Sequence, residues 1–171
     1  MANYCTNSLM LNENSNDSIL NVLRDYLDKN GHLSFELILP VPDELRKQRV
    51  KPKSEKHRKE LIKKYGAESA WDWRVMNWGT KYDCEVFDSY EECENRINFT
   101  TPWSPPIGIV KTLSLLTGRE FRLTYIEEGM DFCGEYFSYP NWLQNHDHEF
   151  SPIKSAPKKL KKELQGDNWT W

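Results

Sequence analysis

Asn77-Trp78-Gly79-Thr80-Lys81-Tyr82-Asp83 and Thr101-Pro102-Trp103-Ser104-Pro105-Pro106 are the two stretches on which the fold turns. Each sets a tryptophan among residues with special backbone demands. Glycine enters left-handed conformations freely, whereas proline fixes φ and withdraws a hydrogen-bond donor. Between them, residues 84–88 and 95–101 read as two strands joined by Ser89-Tyr90-Glu91-Glu92. In the second strand Ile97 and Phe99 alternate inward with Arg96, Asn98 and Thr100 outward.

Downstream, Ser104 is placed to cap a helix with Pro105 at its first position, where proline is tolerated. The expected apolar face is Ile107, Val110, Leu113, Leu115 and Leu116, closed by Gly118. Residues 120–127 predict a strand, and Gly129 turns it into a last strand over 130–138. Upstream, residues 3–11 have β character. From Ser18, apolar residues recur at helical spacing as far as Leu27, and Asn30-Gly31 closes that helix. The alternation Leu33, Phe35, Leu37, Leu39 predicts a strand over 32–39, ended by Pro40-Val41-Pro42.

Residues 43–75 are of another kind. They are basic, poor in large apolar residues and broken by Pro52. They read as a surface insertion, with Ser54 capping a helix to about Tyr65. A further turn over 70–77 brings Trp71, Trp73 and Trp78 to the core. Without the insertion and the strand before it, the order is β-α-β-β-α-β plus a C-terminal hairpin strand. That is an α+β, ferredoxin-like split β-α-β antiparallel sheet with two helices on one face. Residues 1–140 form this domain, and 141–171 form a tail carrying His146, His148, Trp169 and Trp171.

A chain of 171 residues is long enough for a core without disulfides or metals. Its seven tryptophans bring large apolar area with polar handles. The first residues carry no basic and apolar leader, and no run approaches the ~20 apolar residues of a membrane span. The expectation is a cytoplasmic protein without membrane contact. The four cysteines form no CxxC pair and read as free thiols, so neither a metal site nor a cofactor is expected.

Charge is segregated. The basic patch Arg46, Lys47, Arg49, Lys51, Lys53, Lys56, Arg58, Lys59, Lys63 and Lys64 faces only two glutamates within 46–64. The run Asp83, Glu85, Asp88, Glu91, Glu92 and Glu94 contains no base. Such asymmetry speaks of partners and steering rather than of fold.

The opening Met1-Ala2-Asn3-Tyr4-Cys5-Thr6-Asn7 resembles that of the YubB-like proteins of phages and conjugative plasmids. So do Leu39-Pro40-Val41-Pro42, the two tryptophan signatures, and Tyr125-Ile126-Glu127-Glu128-Gly129 followed by Phe132 and Gly134. The signature residues are Asn77, Trp78, Gly79, Lys81, Asp83, Trp103, Ser104, Pro105, Pro106, Glu127 and Gly129. Tyr82 and Tyr4 stand where the family has tryptophan. The resemblance implies a ferredoxin-like sheet and a mobile-element origin, and it carries over no reaction.

No nucleophile elbow, P-loop or HExxH is present, so the sequence supports no standard catalytic set. Read blandly, Trp78 plugs the core, Asp83 caps local N–H groups, and Glu127, Glu128 and Asp131 form a solvated turn. The leading functional expectation is a non-enzymatic module binding a host protein through the acidic run, in the manner of a host-defence inhibitor. The alternatives are nucleic-acid binding by the basic insertion, and an enzyme centred on Lys81, Asp83 and Glu127. Exposure of Trp78 or Trp103 would favour a recognition surface, and burial a scaffold role.

Overall fold

A computed structural model describes residues 3–11, 17–48, 52, 54–86 and 95–165. Its centre is strand β1 (Tyr4–Leu11), whose alternating pattern buries Cys5, Asn7, Leu9 and Leu11 on one face. Strands β2 (Glu85–Val86), β3 (Arg96–Pro102), β4 (Phe121–Glu127), β5 (Phe132–Ser138) and β6 (His146–Phe150) complete an antiparallel sheet of order β2-β3-β1-β4-β5-β6. The β2-β3-β1-β4 part is the split β-α-β arrangement expected, extended at one edge by β5 and β6. The hairpin tip at 87–94 lies outside the described residues.

Helix α1 (Ile19–Leu23), continued by a 3-10 turn at Arg24–Tyr26, packs on the inner face with α6 (Ile107–Thr117). Ile19, Leu23, Val110 and Leu113 meet Leu9, Phe99, Leu123 and Tyr125 there. On α6 the buried face is Ile109, Val110 and Leu113. Leu115 and Leu116, expected inside, are about half exposed. Leu115 shares its stripe with Lys111, one turn back, and Leu116 opens on a polar groove with Asp17, Asn21 and Arg119.

The strand expected over 32–39 is instead a single bridge from Leu33 to Leu27, followed by the four-residue helix α2 (Phe35–Ile38). Alternating leucines serve a short amphipathic helix as well as a strand. What decides is the Asp83 carboxylate, which accepts from Phe35 N–H at 2.8 Å and from the Ser34 hydroxyl at 3.1 Å. It satisfies donors a helix start leaves open. Local pattern carries no sign of a cap 48 residues away.

The inserted segment forms α3 (Asp43–Arg46), α4 (Glu55–Tyr65) and α5 (Ala70–Trp78). Ser54 caps α4 by accepting from His57 N–H, and Gly66 closes it in the left-handed conformation, as the sequence predicts. The segment also reaches inward: Leu45, Leu61, Ala70 and Trp73 join the main core. Helices α3 and α4 bring one buried apolar side chain each, too few to show as periodicity, whereas α5 brings Ala70, Trp73 and Trp78.

The two expected helices, α1 and α6, share one face of the sheet, and the opposite face is covered in part by the segment read as a tail. After β6 the chain makes a turn at Ile153–Ser155 and helix α7 (Lys158–Gln165). Ile153, Ala156 and Leu160 form a second small core with Ile126 and Cys133. Arg122 pins α7, pairing with Glu135 at 2.7 Å and with Glu163 at 2.8 Å. Residues 166–171, with Trp169 and Trp171, lie outside the described residues.

The end of α5 is pressed closely against the start of α6. A Cβ on Gly108 would overlap the Asn77 carbonyl, and one on Gly79 would meet the Pro105 carbonyl at 2.8 Å. Gly108→Ala therefore forces two backbones apart, and it should cost about 2–3 kcal/mol in urea unfolding. Gly118→Ala meets no atom within 4 Å and bears only the strain of its positive φ. It should cost about 1 kcal/mol.

Candidate interaction surface

The two tryptophan signatures clasp each other. Ser104, expected as a helix cap, instead donates its hydroxyl to the Gly79 carbonyl at 2.6 Å. Pro106 takes the position before α6, and its carbonyl accepts from Ile109 and Val110 N–H. Thr80 donates to the Pro102 carbonyl. A buried polar thread runs on from this clasp: Thr101 Oγ1 donates to the Ser104 carbonyl and accepts from Asn7 Nδ2 at 2.9 Å. Asn7, 1% exposed, thus ties β1 to β3 beneath the turn. Sequence reading missed it, although a polar residue at an inward strand position between Cys5 and Leu9 was the signal.

Trp78 is completely buried. Its indole N–H donates to the Leu39 carbonyl at 2.8 Å, and its ring meets Phe35 and Trp73 edge-on. The Arg74 guanidinium lies 4.9 Å from the ring centroid, while Arg74 itself pairs with Glu36 at 2.9 Å. Asn77 closes the last turn of α5 by donating to the Trp73 carbonyl. These are scaffold roles.

Trp103 differs. It is 45% exposed with φ at 72°, a region unusual for a bulky side chain. Its N–H donates to the Asn3 carbonyl, and the clasp fixes its neighbours, so the surrounding structure holds the conformation. Beside it Tyr4, opposite Pro102 in the ladder, is 51% exposed. Met130, in the β4–β5 turn packed over Asn3 at Gly129, is also exposed. Next to the clasp, the Lys81 ammonium sits 4.1 Å from the Trp71 ring centroid, with Tyr82 exposed alongside. One end of the sheet thus presents Tyr4, Trp103 and Met130, with Lys81 and Tyr82 next to the clasp.

Of the enzymatic trio, Asp83 and Glu127 are taken up by backbone hydrogen bonds and Lys81 by an aromatic ring. Asp83 is engaged with α2 and also accepts from Cys84 N–H. Lys81 faces Trp71. Glu127 is 1% exposed, not solvated as expected, and its carboxylate accepts from Met130 N–H inside the β4–β5 turn. Asp131 in the same turn accepts from Ile153 N–H at 3.0 Å, which anchors the approach to α7. Burial pushes the Cys5 and Cys84 thiols well above the ordinary range, consistent with inert packing.

The acidic run is only partly visible. Asp83 is withdrawn into the fold, Glu85 is exposed, and Asp88, Glu91, Glu92 and Glu94 lie outside the described residues. Much of the basic patch is neutralised locally. Arg46 pairs with Glu36, Arg58 with Glu55 and Glu68, Lys59 with Glu55, and Lys64 with Glu44. Lys47, Lys56 and Lys63 are exposed without an ion pair among the described residues, and Arg49, Lys51 and Lys53 lie outside them. Among the described residues no three His, Cys, Asp or Glu side chains are placed to hold a metal, and no helix is long and apolar enough to cross a membrane.

The family described as "Ferredoxin-like domain in Api92-like protein" matches residues 78–141, from Trp78 through β5. Over that stretch, less than half of the chain, the protein is similar to that domain, and the fold so described is the one the sheet order defines. Comparison with curated proteins and with solved structures found no match.

Replacing Asp83 by Ala removes an acceptor shared by the start of α2 and by Cys84 N–H. We expect a loss of about 1–3 kcal/mol in thermal or urea unfolding. Glu85→Ala, an exposed change in the same acidic run, should stay within about 0.5 kcal/mol.

Proposed function

We propose that this protein is a non-enzymatic protein-binding module whose partner docks on the aromatic end of the sheet around Trp103. The carrying observation is that exposed tryptophan, held in left-handed backbone by a clasp that does not need its side chain. Tryptophan and tyrosine anchors dominate binding energy at protein interfaces, and rigid display reduces the ordering cost of binding. Tyr4 and Met130 extend the apolar area, and Lys81 with Tyr82 supplies an amphipathic rim. The engagement of Asp83 and Glu127 in structural hydrogen bonds supports a reading without catalysis.

The resemblance to proteins of phages and conjugative plasmids makes a host protein the natural partner in this reading, and blunting of a host defence its use. Exposed Glu85, a member of the acidic run, would favour a basic partner.

The test uses immobilised wild-type protein and Trp103→Ser on lysates of several bacterial hosts, followed by titration with the recovered protein. The wild type should retain one stoichiometric partner, and Trp103→Ser should bind it at least tenfold more weakly. That variant should unfold within about 1 kcal/mol of wild type, because its side chain is half exposed. Trp142→Ser, an exposed tryptophan elsewhere, should bind as wild type does. Equal retention by wild type and Trp103→Ser, or no stoichiometric partner in any lysate, would refute the reading.

A further inference from the structure

A second surface lies on the sheet face that α7 crosses. His146, exposed on the edge strand β6, stacks on its ladder partner Phe137 with ring centroids 4.7 Å apart and planes 20° apart. Tyr139 lies 6.0 Å from His146 in a nearly parallel plane, and His148 meets His146 edge-on. The register puts His146 and His148 on one side of the strand, and the Phe137 ring is held from below by the Arg122 guanidinium. Arg122 is in turn fixed by Glu135 and Glu163. The result is a row of ring faces on a rigid base.

Between Phe137, Tyr139 and the start of α7 opens a cleft of about 400 Å³, lined also by Met10, Glu120, Glu135 and Lys159 among others, with Glu135 paired to Arg122. Its walls are more apolar than polar, and its size suits a flat aromatic group. Lys158, Lys159 and Lys162 of α7 are exposed, and none has an ion pair among the described residues. On α4 glutamates neutralise Arg58, Lys59 and Lys64 and leave Lys56 and Lys63 exposed without an ion pair among the described residues. Lys159 on the cleft wall, with Lys158 and Lys162 on the exposed face of the same helix, and the stacked rings offer two different attractions at once. Phosphates answer the charge, and bases answer the rings, since every base has a π-face. In a duplex the bases are stacked on each other and not free to meet these rings.

We propose that this cleft and its ring row bind a single strand of nucleic acid, with bases stacked on Tyr139 and His146 and phosphates beside Lys158, Lys159 and Lys162. This surface is separate from the Trp103 end and does not depend on what docks there.

The experiment is fluorescence anisotropy of the full chain with labelled single-stranded DNA and RNA of about 15 nucleotides, a length typical of such sites. A duplex of the same sequence serves as comparison, all across a salt series. Wild type should bind the single strands at low salt and the duplex at least tenfold more weakly. Changing Lys158, Lys159 and Lys162 together to Ala should weaken binding at least tenfold. It should also reduce the slope of log affinity against log salt by about 2, at about 0.7 for each lost phosphate contact. Tyr139→Leu with His146→Leu should weaken single-strand binding about tenfold and leave that slope unchanged. Lys56→Ala with Lys63→Ala on α4 should change nothing. The proposal is overturned by absence of binding at low salt, by binding insensitive to the α7 lysines, or by loss in the α4 variant instead. Equal affinity for duplex and single strand, with the ring substitutions silent, overturns it too. Thermal unfolding of each variant guards against misfolding; should the ring variant not fold, the lysine variant and its salt slope decide alone.

Discussion

A carbonyl pressed against a glycine organises this molecule. The Asn77 carbonyl occupies the space that any side chain at residue 108 would need, and Gly79 meets the Pro105 carbonyl in return. Because neither backbone can retreat, the last turn of α5 is fixed on the first turn of α6. That places Trp78 beneath α2 and brings Ser104 within reach of Gly79. The thread through Thr101 to Asn7 then ties the clasp to the central strand. Buried polar groups of this kind are costly unless fully paired, so the thread tolerates one arrangement of β1, β3 and the turn.

The two tryptophan signatures divide their work. Trp78 gives both its ring and its indole N–H to the interior. Trp103 gives its backbone to the scaffold and leaves its ring outside. Most other signature residues fall on the scaffold side: Asn77 closes a helix, Asp83 opens one, and Glu127 holds a turn. A set of residues that resembles an active-site fingerprint is therefore mainly a set of backbone constraints, with one aromatic side chain displayed by them.

The sheet was legible because its strands follow a period of two and its turns are marked by glycine and proline. The same rules succeeded for α4, whose cap and terminal glycine are both local. They failed where a contact crosses the chain. The start of α2 is set by Asp83, Ser104 serves Gly79 rather than its own helix, and Leu116 faces a polar groove instead of the sheet. The segment from β6 to α7 escaped for another reason. Its four exposed strand residues and five α7-proximal lysines mask a short apolar seam of Ile153, Ala156 and Leu160. Of the candidate surfaces, composition showed the charge but not its pairing, which depends on Glu36 and Glu44 reaching across helices.

The position of β1 has a kinetic meaning. It is the first strand in the chain, yet it lies inside the sheet, with Asn7 opposite Phe99 on one side and opposite Tyr125 on the other. Both partners come from the later part of the sequence, so closing either pairing spans a long loop whose entropy must be lost before contacts compensate. During synthesis the strand therefore leaves the ribosome long before either of its edges can be covered. Its polar alternates, Thr6 and Ser8, are then what the bare strand offers to guard against pairing with another chain. The molecule's structural centre is the element that waits longest to be completed.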